Sequence, residues 1–229
     1  MSAEGREAGN SRIELHLLAA IERDSAVTQR GLARDLGIAL GLANAYLRRC
    51  VKKGLVKIRQ APASRYAYYL TPQGFAEKSR LVAEYLAVSL EFFRLAKSEC
   101  ATLFGECETR GWRRVALFGM GELAEIAALS SAESAIGIVC VVDAEAVGRR
   151  CAGLPVVGDL AAAMLAAGAA GLDAVIVTDM RSPQESFEAA ARAASLRGLP
   201  AERVMAPPLL HVSGAPGDPG FRRGEEAAA

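Results

Sequence analysis

The sequence is poor in the side chains that most enzymes use for chemistry. Among 229 residues there are two histidines, His16 and His211, and one tryptophan. Neither histidine stands at metal-ligand spacing from other ligating residues, which argues against a zinc site. The five cysteines are odd in number and scattered. Such a pattern fits reduced thiols in a cytoplasm, not a disulfide framework. No apolar run approaches the ~18 residues that a membrane helix requires. The opening MSAEGREAGN has no apolar segment of the kind a secretion signal carries. A nucleophile elbow and a phosphate-binding loop are both missing. The expectation is a soluble, cytoplasmic, non-catalytic chain of one or two domains.

An excess of charge is missing too, since the formal net charge is +1. The distribution, however, is uneven. Residues 28–80 carry eleven basic side chains against Asp35 and Glu77 alone, a local balance of +9 that leaves −8 for the remainder. A compact basic unit is the electrostatic footprint of a phosphate-backbone binder, so double-stranded DNA is the expected partner.

The local signals in that unit form an ordered set. Ser11 as N-cap with Glu14 three residues later predicts a helix over 12–23. Thr28 caps a second helix over 29–36, which Gly37 breaks, and a third runs over about 40–53 to Gly54. Two short helices joined through a glycine turn make a helix-turn-helix, whose second helix enters the major groove. Residues 55–59 and 66–70 alternate as two antiparallel strands, and the loop 60–65 between them makes a wing carrying Arg65. On the third helix Gly41, Asn44, Ala45, Arg48 and Lys52 point outward, while Ala43, Leu47 and Val51 share a core stripe. Asn44 and Arg48 suit base edges, adenine and guanine respectively. The alternative makes Arg48 and Arg49 phosphate clamps. Gln29, at the start of the second helix, completes the expected DNA contacts.

The segments GLVKI and YAYYLTPQGFAEKSRL resemble MarR-type winged helices, particularly the small regulators associated with exopolysaccharide gene clusters. The resemblance covers about residues 12–95 and implies a DNA-binding transcription regulator.

Residues 72–110 read as one long helix. Val82, Leu86, Ser89, Phe93, Ala96, Cys100, Leu103 and Cys107 fall at alternating spacings of four and three, a sustained apolar stripe. That stripe predicts a homodimerisation helix, which would set two winged helices on two half-sites. The alternative is a helix packed onto its own second domain, with Cys100 and Cys107 as small core hydrophobes.

The remainder, 112–212, alternates strands and helices, which predicts an α/β domain with a parallel sheet of about five strands. Strand 114–118 runs straight into Gly119-Met120-Gly121-Glu122-Leu123-Ala124, then a helix, a second strand over 136–142 and Asp143. This resembles the first βαβ unit of a Rossmann-like fold. Gly119 and Gly121 would allow close backbone approach, the helix N-terminus would face a phosphate, and Asp143 would accept a ribose hydroxyl. Glu122 lies in the same turn, against what a pyrophosphate prefers. Ser182 caps a later helix with Pro183 at its first position. The run through VVD and GLPVVG is similar to the small Rossmann-like domains of sugar-nucleotide modifying proteins. That similarity implies a nucleotide-sugar as effector, with NAD(H) second by analogy with redox-sensing repressors. Two alternatives remain open, a nucleotide-cofactor enzyme and an empty scaffold. Residues 1–10 and 213–229 read as flexible tails.

Overall fold

The computed structural model describes residues 3–61 and 65–215. The chain divides into two compact units, residues 1–90 and 91–229, each with its own apolar core. Among the described residues no helix is long and apolar enough to cross a membrane.

The first unit contains α1 (Ala3–Arg23), α2 (Gln29–Asp35), α3 (Leu40–Lys52), β1 (Val56–Ala61), β2 (Arg65–Leu70) and the start of α4 (Pro72–Thr109). Its turns follow from local chemistry. The Thr28 hydroxyl accepts the Gly31 N–H at 3.0 Å and starts α2. Gly37 and Gly54, at φ +63° and +73°, release the chain after α2 and α3. The Thr71 hydroxyl donates to the Gly54 carbonyl at 2.6 Å and accepts the Gly74 N–H at 3.0 Å, which starts α4 at Pro72. Position 74 has to be glycine, because an added Cβ would lie 2.1 Å from the Leu55 carbonyl oxygen. Leu17, Leu18, Ile21, Leu32, Leu47 and Tyr68 fill the core.

α1 corrects two expectations. The helix is already formed at Ala3, so Ser11 lies within it and caps nothing, and 3–10 is helical rather than a tail. Glu14 has no capping role either. It is buried and pairs with Lys53 Nζ at 3.0 Å, because the amphipathic stripe turns position 14 toward α3.

β1 and β2 form an antiparallel hairpin with Ile58 opposite Tyr68 and Gln60 opposite Tyr66. Residues 62–64 of the expected wing loop and the Arg65 side chain lie outside the described residues, as does 216–229 of the expected C-terminal tail.

The second unit takes the end of α4 and adds β3 (Arg114–Phe118), α5 (Glu122–Ser131), β4 (Gly137–Val142), β5 (Arg150–Cys151), β6 (Leu154–Val157), α6 (Leu160–Ala167), β7 (Ala174–Val177), α7 (Pro183–Ser195) and β8 (Val204–Met205). The sheet has six strands in the order β5-β6-β4-β3-β7-β8. Five are parallel. β5 is antiparallel to β6, an extra edge strand that the expected parallel sheet did not include. A two-residue turn creates it, with Ala152 and Gly153 both at positive φ. From β3 the chain builds the sheet outward through β4 and β6, then returns to the other side of β3 for β7 and β8.

The expected stripe on α4 is divided. Ala96, Cys100, Leu103, Phe104 and Cys107 are buried in the second unit's core, with Cys107 Sγ 3.8 Å from Met205 Sδ. Those side chains already have intramolecular neighbours and are not free to form a seam with a second copy. Val82, Tyr85, Leu86, Val88 and Leu90 remain exposed on the first unit. All five cysteines are free and buried.

Candidate functional site

In the first unit α3 and the core-facing side of the hairpin enclose a cleft of about 420 Å³. Spacing places its walls. Asn44, Arg48 and Lys52 recur at every fourth residue along α3, and Leu47 and Val51 form the apolar floor between them. Ile58, Tyr66 and Tyr68 share one side of the hairpin by strand alternation and face them. The Gln29 amide donates to the Tyr68 hydroxyl at 3.4 Å and closes one end.

Gln29, Asn44, Arg48 and Lys52 are thus brought together as expected DNA-contacting residues. Gly41 lies exposed in the first turn of α3, outside the cleft lining. Arg49 is not in the cleft either. Its guanidinium lies over the Tyr46 ring at 5.2 Å, because one residue along a helix turns a side chain by 100°. Ile58, Tyr66 and Tyr68 are contributors that sequence reasoning missed, although their alternation already placed them on one face.

Arg48 and Lys52 are exposed, and among the described residues neither has an ion-pair or hydrogen-bond partner. Two cations over an apolar, aromatic floor suit a phosphate-bearing strand. The opposite hairpin face carries Lys57 and Arg59, with the Arg59 guanidinium 6.0 Å from the Tyr69 ring.

In the second unit a cleft of about 390 Å³ opens at the carboxyl ends of the strands, lined by Met120, Gly121, Glu122, Glu125, Asp143, Glu145, Ala146, Arg149 and Arg181. Open α/β sheets bind ligands at this edge, where the strand order reverses. Gly119 has φ +104°, and an added Cβ would lie 2.4 Å from the Asp179 Cβ. Gly121 precedes α5 with open space around it. Glu122 is exposed in the first turn of α5, beside Glu125.

Asp143 does not keep the free carboxylate expected for a ribose. One oxygen accepts the Met120 N–H at 3.0 Å and an Arg181 N–H at 3.3 Å, and the other accepts the Glu145 N–H at 3.0 Å. Arg181 spans the cleft, donating also to Glu145 and Asp179. Burial opposes the charge on Asp179, but hydrogen bonds from Ser186 and Arg181 outweigh it and hold the carboxyl below its usual range. Ser182 precedes α7 with Pro183 in its first turn, yet its side chain makes no capping bond. Among the described residues no group of histidines, cysteines or carboxylates is placed to hold a metal ion.

Residues 10–57 match the family model described as winged helix-turn-helix DNA-binding. The N-terminal unit therefore carries a winged helix-turn-helix DNA-binding domain. Among solved structures, the chain is similar to the crystal structure of MepR, a transcription regulator of the Staphylococcus aureus multidrug efflux pump MepA. The identity is 17% and the TM-score 0.32, over 35% of this chain and 61% of that one. The match thus spans less than two thirds of the MepR chain, and a likeness this slight decides neither fold nor function. No curated protein matches this sequence.

Proposed function

We propose that the protein is a MarR-like DNA-binding transcription regulator that contacts duplex DNA through the cleft between α3 and the hairpin. The observation that carries this reading is the pair of exposed cations, Arg48 and Lys52, without partners among the described residues and within a segment that matches a winged helix-turn-helix model. The test is fluorescence anisotropy with DNA from upstream of its own gene, across a salt series. Affinity that falls steeply with salt supports the reading. Salt-insensitive or absent binding overturns it.

The exposed apolar residues Val82, Tyr85, Leu86, Val88 and Leu90 support homodimerisation through this part of α4, since a group of exposed apolar side chains on one helix segment favours a partner surface. Two copies would then address two half-sites about one helical turn apart.

The second unit serves as a Rossmann-like effector domain, supported by the strand order on either side of β3 and by the Gly119–Gly121 turn. A nucleotide-sugar is the first ligand class and NAD(H) the second. To regulate, the ligand has to favour one dimer geometry over another. A specific observation favours a second reading, a scaffold that binds no nucleotide: Asp143 already accepts three hydrogen bonds within the unit and Arg181 spans the cleft. Thermal-shift measurements against nucleotide-sugars and NAD(H) separate the two. Stabilisation that Gly121→Ala abolishes supports the effector domain, and silence across the panel supports the scaffold.

A further inference from the structure

Asn44 stands apart from its neighbours in the α3–hairpin cleft. Among the described residues its Oδ1 is the one buried side-chain nitrogen or oxygen without a hydrogen-bond partner. The residue as a whole is only half-buried and lines the cleft. A carboxamide has two different ends, an oxygen that accepts and an NH2 that donates twice. With Oδ1 closed off, the end left for a ligand is Nδ2. Turning the amide over would bury two unmet donor hydrogens in place of one unmet acceptor, so the observed orientation is the less costly one.

This orientation constrains what Asn44 reads. Bidentate pairing with adenine needs both ends of the amide, the oxygen for the N6 amine and the nitrogen for N7. A group that only donates finds one acceptor on adenine, N7, beside a donor that opposes it, and one on thymine, O4. Guanine alone presents two neighbouring acceptors, N7 and O6, that both hydrogens of the amide can meet, and cytosine presents a donor. We infer that Asn44 acts in DNA recognition as a hydrogen-bond donor alone and selects a guanine in each half-site, not the adenine that its residue type suggests. The inference rests on the proposed DNA-binding function. It concerns the side chain Nδ2, with Arg48 and Lys52 supplying charge that carries no sequence information of its own.

The experiment is selection of bound duplexes from a library of randomised 20-base-pair DNA, using the full chain and the variants Asn44→Ala and Asn44→Asp, each first checked for folding by circular dichroism. The wild type is expected to select a guanine that Asn44→Ala ceases to distinguish, a loss of about 10- to 100-fold in discrimination at that base pair, with the other positions retained. Asn44→Asp keeps an oxygen at the closed position and replaces the donor by an acceptor, so it is expected to favour cytosine there. Replacing that guanine by 7-deazaguanine is expected to weaken binding by the wild type and not by Asn44→Ala, a comparison that holds even if Asn44→Asp fails to fold.

Three results overturn the inference. An adenine preference lost in Asn44→Ala shows the amide reading with both ends. Equal weakening of every sequence shows a phosphate contact. Binding without enrichment of any sequence overturns it as well, whereas recovery of no DNA at all defeats the DNA-binding function itself and is distinct from the others.

Discussion

Gly119 lies directly under Asp179: a Cβ on the glycine would sit 2.4 Å from the aspartate Cβ and 2.7 Å from its backbone nitrogen. The close approach brings the ends of β3 and β7 together, and the Thr178 hydroxyl donates to the Gly119 carbonyl at 2.6 Å beside it. Gly119→Ala is expected to destabilise the second unit by about 2–4 kcal/mol, combining strain at φ +104° with overpacking against backbone. Gly121→Ala meets nothing within 4 Å at an extended φ and is expected to change stability by less than about 0.5 kcal/mol. Thermal unfolding of the two variants checks the contrast, and equal effects would contradict the packing at Gly119.

Asp179 makes the acid limb of the stability curve informative. Its carboxyl is held below the usual range in the folded chain, so its contribution is present above the unfolded value of about 3.9 and is lost as pH falls through the lower folded value. Ser186→Ala removes a 2.7 Å hydrogen bond to the carboxylate. The variant is expected to lose stability at pH 7 and to show a shallower decline below pH 4. Chemical denaturation at several pH values reads both.

Glu14 and Lys53 test the first unit. The Glu14 side chain is almost wholly buried, and half-exposed Lys53 is its ion partner. Lys53→Met is expected to cost about 1–3 kcal/mol by leaving a buried carboxylate unpaired, more than Glu14→Gln, which removes the charge with little change of shape. Equal destabilisation in urea titrations would show that the charge on Glu14 is not the issue.

Burial dominates the cysteines. It pushes the Cys50 and Cys100 thiols up to about 12 and that of Cys107 to about 11. A raised folded value means stability that is complete below the unfolded value of about 8.5 and is lost as pH rises toward the folded one. All five thiols are expected to resist an aromatic disulfide reagent at pH 8 and to react in 6 M guanidinium. Rapid reaction of any of them in the native protein would contradict its burial.

Adjacent arginines on α3 are expected to behave differently. Arg48→Ala should weaken DNA binding and lower the magnitude of the salt slope by about one if Arg48 meets a phosphate. Arg49 lies over Tyr46, so Arg49→Ala should leave the slope nearly unchanged and remove about 0.5–1 kcal/mol of folding stability. Matched slopes would place both side chains on the DNA.

The first unit was largely legible in the sequence. Thr28, Gly37, Gly54 and the Thr71-Pro72 pair act through bonds within a few residues of themselves or through backbone angles only certain residues adopt, so their order alone predicted helix, turn, helix and hairpin. The same locality revealed the basic stretch behind a net charge of +1. α1 escaped it, because Ser11 and Glu14 carry the residue types of a capping box while lying inside a helix that begins at Ala3.

Tertiary packing decided the remainder. An apolar stripe on α4 says that something covers it, not what, and only the sheet's position shows Cys100 and Cys107 to be core while Leu86 stays exposed. Asp143 matched a ribose-binding pattern, yet Arg181, 38 residues later, takes up its carboxylate. The two ends of the Asn44 amide are identical in the sequence, and burial of one of them separates donor from acceptor. In each case the residue type supplies a chemical capacity, and neighbours distant in the chain determine how much of it remains free.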